Sequence, residues 1–296
     1  MNTRDLEAFI VVVETGSIIS ASARLHLTQP GITRRIQSLE RHIGVELLER
    51  SSKPLKPTKA GHRVYELGRK VLRAVDDLHS EFQESRDFCG DFRVGVSPFV
   101  AETVLAGPLD ALRADFPAMR LHLSSAWSPA LIEMVLGDQI DAATVFLPSS
   151  EKFPARIRAE EICRQEIVIV ASPDSPLSGQ VNLDRLNGIP WVLSQQGCGF
   201  RRLVHRAYEH AGMPLNVAVE AVTKDLQLSL VARGVGIGVV PLRILEKSGW
   251  RDKVKVLHVP ELEPDFCVWL IHCPPAGRLA APIKRYHEVM VQTYEN

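Results

Sequence analysis

The chain carries no net charge: its 35 lysines and arginines are matched by 35 aspartates and glutamates over 296 residues. That balance argues against a protein that coats nucleic acid with its whole surface. No apolar run approaches bilayer-spanning length, and the amphipathic start, with Asp5 and Glu7, does not read as a secretion signal, so no membrane partner is expected. Only five cysteines occur, an odd number at irregular spacing, which points to reduced thiols in a cytoplasmic protein. Catalytic signatures are missing as well. There is no HExxH, GxSxG or Walker-type loop and no zinc-type cysteine pair, and the ten histidines lack ligand spacing. Gly234, Gly236 and Gly238 imitate a dinucleotide loop, but they follow a helical stretch and lead into a strand, the reverse of the required order. The sequence therefore offers no catalytic residue, no metal site and no cofactor site, and it reads as a non-enzyme. A hydrophobic content of 45% is ample for more than one globular core.

What is present is concentrated near the start. Residues 16–40 read as two short helices joined by a tight turn. Ser17 is a plausible N-cap for the first, whose inner face is Ile18, Ala21, Ser22 and Leu25. Thr28 serves the second, with Pro30 in its first turn, where a missing N–H costs nothing. Ile32, Ile36, Leu39 and Ile43 repeat at helical spacing, so Pro30, Thr33, Arg34, Gln37 and Arg41 project the other way, as a helix entering a DNA groove needs. Leu6, Phe9, Ile10 and Val13 supply a further amphipathic helix to close a small core. Pro54 and Pro57, among short apolar runs after Gly44, predict a two-stranded wing tipped by residues 51–54, with Arg50, Lys53 and Lys56 along the phosphates or the minor groove. Between Arg24 and Lys56 seven basic residues face three acids, a basic patch on a neutral chain.

The ordered series Leu6-Glu7-Ala8-Phe9, Gly16-Ser17, Ala21, Ala23-Arg24-Leu25-His26, Thr28-Gln29-Pro30, Ile32-Thr33-Arg34-Arg35-Ile36, Leu39-Glu40, Gly44 to Arg50 and Thr58-Lys59-Ala60-Gly61 resembles the DNA-binding domain of LysR-type transcriptional regulators. The resemblance implies a bacterial, cytoplasmic, ligand-responsive regulator of transcription. Its partners would be double-stranded promoter DNA, a small-molecule effector, further copies of itself as dimer or tetramer, and RNA polymerase. It implies that Gln29, Pro30, Thr33, Arg34 and Gln37 meet base edges or adjacent phosphates, with Arg50 and the wing on the backbone; Arg24 and Thr28 complete the expected interface. Thr28 and Thr33 stand where the family often has serine, and Gly31 where it often has alanine.

The expected layout is a winged helix-turn-helix over residues 1–58 (the two motif helices at 18–37), a linker helix over 59–89, and an effector domain over 91–296. In the linker, Val64, Leu67, Val71, Val75, Leu78 and Phe82 fall at alternating three- and four-residue steps, a coiled-coil-like seam suited to pairing with a second copy. Beyond it, strands at 92–96, 121–124, 142–146, 166–171, 217–222 and 238–240 alternate with helices at 103–116, 129–136, 200–211 and 226–232. A returning strand at 266–272 and a final helix to about Tyr294 complete the pattern. It predicts α/β architecture with parallel sheets.

The two sets, and the resemblance, imply a two-lobed periplasmic-binding-protein-like (type 2) domain, one lobe at 91–163 with 267–296 and the other at 164–266. Ligands of such folds sit beyond strand C-termini near helix N-termini. The expected cleft residues are Ser97, Pro98, Phe99, Val100, Ala101, Ser128, Pro129 and Phe146 from one lobe. Ser194, Gln195, Gln196, Cys198, Gly199, Phe200, Arg201 and Thr223 come from the other. Open N–H groups with Arg201 would suit a carboxylate or other anion. Two alternatives remain at this point. One is redox sensing through Cys198, near which the resemblance places the reactive cysteine of the peroxide-sensing branch; the other is a solute-binding or enzymatic α/β protein.

Overall fold

The computed structural model describes residues 2–49, 52–80, 88–262, 265–274 and 276–295. They form two compact units, residues 1–86 with 275–278, and 87–274 with 279–296. No helix among the described residues is long and apolar enough to cross a membrane.

The first unit opens with α1 (Thr3–Thr15), α2 (Ile18–Arg24) and α3 (Gln29–Ile43). Each begins on a polar cap: Asn2 accepts from Arg4 N, Ser17 from Ser20 N and Thr28 from Gly31 N, which satisfies donors a helix start would otherwise orphan. Gly16 and Gly44 close α1 and α3 in the left-handed conformation. Phe9, Val12, Ala21, Ile32, Ile36 and Leu39 meet in one core. The wing pairs β1 (Leu48–Glu49) with β2 (Lys56–Pro57), antiparallel. Leu55 N donates to Gly16 O at 2.9 Å, tying the wing to the α1–α2 turn.

α4 (Lys59–Ser80) follows. Thr58 Oγ1 accepts from Gly61 N and donates to Glu46 O, so one hydroxyl both caps α4 and fixes the preceding loop. The expected self-pairing seam is only partly available. Val64 packs on the helix-turn-helix core together with Tyr65 and Leu72, and Gly68 sits against Leu6 and Ile10. Leu67, Val71 and Leu78 remain exposed, and Val75 is half-buried. Phe82 lies outside the described residues, as does Arg50.

The second unit runs β3 (Gly90–Val96), α5 (Pro98–Thr103), α6 (Ala106–Asp115), β4 (Met119–Ser125), α7 (Ser128–Leu136), β5 (Ala142–Pro148) and β6 (Arg158–Gln165). It continues with β7 (Ile167–Ala171), β8 (Gly179–Gln180), β9 (Trp191–Ser194), α8 (Gly199–His210), β10 (Val217–Ala221), α9 (Lys224–Ala232), β11 (Ile237–Pro241), α10 (Leu242–Lys247), β12 (Lys255–His258), β13 (Phe266–His272) and α11 (Ala280–Glu295). One sheet has the order β4-β3-β5-β13-β6 and the other β10-β9-β11-β7-β12-β8. The chain therefore changes sheet after Gln165, and again before β13. Both sheets are mixed, not purely parallel. β13 runs antiparallel to β5 and β6, and β7 antiparallel to β11 and β12, because the crossing segments enter a neighbouring sheet from the opposite end.

A single helix over 103–116 does not form. Pro108 has no N–H to give to residue 104, so the chain breaks after α5 and restarts at Ala106 with the proline in the first turn of α6. β6 escaped the periodicity reading because it is an edge strand rich in charge (Arg158, Glu160, Glu161, Arg164). β9 is only four residues long, though every one is buried.

Candidate nucleic-acid interface and ligand cleft

α3 has two unlike faces. Ile32, Ile36, Leu39 and Glu40 are buried, and the Glu40 carboxylate accepts from Leu47 N at 2.8 Å, fixing the loop into the wing. Gln29, Pro30, Arg34, Gln37 and Arg41 are exposed on the opposite side, and Thr33 is half-buried with its hydroxyl donating to Gln29 O. Two neighbouring arginines divide the work. Arg35 turns inward, its Nη1 donating to Arg4 O at 3.1 Å, whereas Arg34 faces outward. Thr28 is spent on capping, and Arg24 forms an ion pair with Glu14 at 2.8 Å. Lys53 and Lys56 are exposed on the wing.

In the second unit four helices start at one place. The residues at the N-caps of α5, α7, α8 and α9 are Ser97, Trp127, Cys198 and Thr223, and all four line one small cavity of about 30 Å³. Only Thr223 spends its side chain on its own helix, accepting from Leu226 N; the other three make no side-chain cap bond. First-turn N–H groups thus converge on the cavity, and their dipoles favour negative charge there. The apolar wall is Phe99, Phe146 and Phe200, with Phe266 packed behind the last two. Phe99 stacks on Phe146 at 4.4 Å between centroids, and Phe146, Phe200 and Phe266 contact one another at 5.0–5.2 Å.

Of the expected cleft residues, Ser97, Pro98, Phe99, Ser128, Phe146, Ser194, Cys198, Gly199, Phe200 and Thr223 line the cavity. Val100, Ala101, Pro129, Gln195, Gln196 and Arg201 do not. Val100 points into the core, and Pro129 and Gln196 face solvent. Arg201 is held by Glu220 at 2.5 Å and by Ser194 O, so its charge is already partnered. Ser128 is no cap: its hydroxyl donates to Phe146 O and accepts from Phe146 N, pinning α7 to β5.

Glu102, Trp127, Val222 and Lys224 also line the cavity and were not foreseen. Lys224 is the important omission. It is 8% exposed, and its Nζ reaches Gln227 Oε1 at 2.8 Å, Ser194 Oγ at 3.0 Å and Val239 O at 3.4 Å, 5.1 Å from the centre of the Phe200 ring. Burial pushes its pKa below the usual lysine range, with Cys198 and Glu102 opposing. A lysine in the first turn of a helix works against the helix dipole, and that was the signal available in the sequence. Cys198 is the one cysteine among the described cavity residues.

A helix-turn-helix with one outward basic face, and a separate two-sheet domain with a small cavity at converging helix N-termini, define a one-component regulator with a DNA-reading head and a ligand-sensing body. The comparisons make the family definite: the chain belongs to the LysR family. The model of the bacterial regulatory helix-turn-helix protein, lysR family, matches residues 3–62, and that of the LysR substrate binding domain matches 85–293. The uncharacterized HTH-type transcriptional regulator YeiE of Escherichia coli K12 is 27% identical over 270 residues, 91% of this chain and 90% of its own. A full-length cysteine-to-aspartate variant of OxyR from Pseudomonas aeruginosa shares the fold with a TM-score of 0.77 at 19% identity, covering 98% of this chain and 94% of its own. Full-length CbnR, solved with its target DNA, has a TM-score of 0.59 at 24% identity, covering 99% of this chain and all of its own. The protein is a LysR-type transcriptional regulator with a DNA-binding helix-turn-helix and an effector-binding domain.

Proposed function

We propose that this regulator reads promoter DNA with the exposed face of α3 and adjusts that binding to a small anionic effector held in the cavity of its second unit. The division of α3 into a buried and an exposed face carries the reading. Arg34 and Gln37 are the side chains placed for base edges, with Gln29, Pro30 and Thr33 at the entering end. Lys53 and Lys56 lie along phosphates, where they add affinity and salt dependence but not sequence choice. CbnR, whose fold this chain shares, was solved on its target DNA, which supports the same use of the head here.

A gel shift on the DNA upstream of the chain's own coding region tests the reading. Six or more phosphate contacts from a dimer would weaken binding about a thousandfold between 50 and 200 mM salt. Equal affinity for random DNA would count against it.

One small helix contacts too few base pairs for useful affinity, so the head works in pairs. The stripe of α4 left open, Leu67 at 56% exposure, Val71, and Leu78 at 64%, is the surface for pairing, with tetramers as pairs of dimers. Leu67→Glu with Leu78→Glu is expected to move the protein to a smaller assembly in analytical ultracentrifugation and to cut operator binding at least tenfold. An unchanged mass distribution would remove α4 from the interface. Ligand would alter the arrangement of the paired heads and, through it, the response of RNA polymerase.

A further inference from the structure

We propose that Gly31 is a specificity-determining position of the DNA-reading helix: the space left by its missing Cβ takes the 5-methyl group of an operator pyrimidine. The inference rests on the exposed face of α3 entering the major groove.

Four other glycines of the first unit have a reason within the protein. Gly16 and Gly44 close their helices in the left-handed conformation. A Cβ at Gly61 would strike the Leu47 carbonyl oxygen at 2.0 Å, and one at Gly68 the Leu6 side chain at 2.6 Å. Gly31 has no such reason. It lies in the first turn of α3, with its φ outside the left-handed region. Apart from its chain neighbours and the helix backbone, the one atom of the described residues within 4 Å of a Cβ there is Thr28 Oγ1, at 3.1 Å. That atom is the tip of a side chain, free to give by the few tenths of an ångström required. Glycine is also a poorer helix former than alanine. Folding alone therefore favours alanine at position 31, and what glycine supplies lies on the outer surface.

The surroundings there are those of the reading face. Gln29 and Pro30, both exposed, precede Gly31, and the exposed Arg34 is its neighbour one turn on. Neither Arg34 nor Arg35 comes within 4 Å of the vacant Cβ position, so a notch the width of one methyl group stays open beside Pro30. The Gly31 N–H is already spent on Thr28 Oγ1 at 3.3 Å, so the notch has no donor for a phosphate or a base acceptor. Its chemistry is apolar. The major-groove edges of the bases carry one hydrocarbon group, the pyrimidine 5-methyl, which thymine always bears and cytosine bears when methylated. Placed in the notch, it fills the volume that an alanine methyl would occupy. Because Arg34 follows by three residues, the methyl belongs within about two base pairs of the one that Arg34 reads.

The test is a competitive gel shift of the full chain on the site it protects upstream of its own coding region. Each thymine is replaced in turn by deoxyuridine, which removes only the methyl, and each cytosine by 5-methylcytosine, which adds one. At one position in each half-site, the protein is expected to bind the methyl-bearing base about fourfold more tightly than its bare counterpart, the worth of one buried methyl group. Gly31→Ala should reverse that preference, binding the methyl-bearing site at least about fivefold more weakly than the unaltered protein and regaining affinity where the methyl is absent. Its melting temperature should be no lower, which separates lost fit from lost fold. A response to deoxyuridine identifies thymine as the source of the methyl, and a response to 5-methylcytosine identifies methylated cytosine. If no methyl matters, or Gly31→Ala keeps the response of the unaltered protein, the proposal is overturned while α3 remains the reading helix. A lower melting temperature in Gly31→Ala would assign the glycine to the Thr28 cap and also overturn it. If no duplex is preferred over random DNA, the reading of α3 fails and the inference with it.

Discussion

Arg34→Ala is expected to weaken binding to the protein's operator at least about thirtyfold while changing affinity for random DNA far less. A bidentate arginine–guanine contact is worth about 1–3 kcal/mol, and a dimer presents two recognition helices, so the total is about 2–6 kcal/mol. The geometry singles out this arginine. Arg34 is exposed on the polar face of α3, whereas Arg35 one residue on is anchored to Arg4 O. Arg35→Ala should therefore lower the melting temperature of the head more than it lowers sequence discrimination. Lys53→Ala should weaken specific and random binding together and flatten the salt dependence. Competitive gel shifts with operator and random duplexes separate the three outcomes; an Arg34→Ala loss that is equal on both duplexes would reduce that residue to a phosphate contact.

Gly61→Ala is expected to be the most damaging single methyl group in the DNA-binding unit. A Cβ at position 61 would lie 2.0 Å from the Leu47 carbonyl oxygen and 3.0 Å from its carbon. That carbonyl cannot retreat freely, because it accepts from Thr58 N at 3.0 Å while Leu47 N donates to the buried Glu40 carboxylate at 2.8 Å. Overpacking against a fixed wall costs about 3 kcal/mol, the upper end of the usual range. In a domain of this size each kcal/mol lowers the melting temperature by about 4–8 °C, so a fall of about 12–24 °C follows. Calorimetry of the full chain reads it, with the second unit's transition as the internal reference. Gly31→Ala supplies the contrast, since its Cβ meets only the tip of Thr28 at 3.1 Å and Ala is the better helix former. A shift under 3 °C for Gly61→Ala would mean that the loop at Leu47 yields.

The head was legible because its signals are local. Caps at Ser17 and Thr28, the spacing of Ile32, Ile36 and Leu39, and the prolines of the wing each act within a few residues. Gly61 could be read as part of a motif, but its reason could not, since the clash is with residue 47. In the second unit, the elements with strong alternation or good helix starts were found, and Ser97, Phe146, Cys198 and Thr223 followed from the rule that ligands gather at helix N-termini. What failed depended on tertiary partners. Arg201 looked like the anion's charge until Glu220, nineteen positions away, was seen to occupy it. Lys224 is not singled out by the sequence: its place in the first turn of a helix is a weak signal, and Ser194 and Val239, which enclose it, lie thirty and fifteen positions away. Val64 belonged to a regular seam by spacing, but packing against the helix-turn-helix core claims it.

On the proposed reading, α3 heads working in pairs locate a DNA sequence under the control of a small anion in the cavity. DNase footprinting of the full chain on its own upstream DNA, with and without a panel of small carboxylates, separates this from non-specific binding. Two protected half-sites about 10 base pairs apart, or a multiple of that spacing, are expected, lost in Arg34→Ala and altered in extent or occupancy by the anion. Uniform, salt-sensitive protection with no preferred site, or half-sites that persist unchanged in Arg34→Ala, would contradict it.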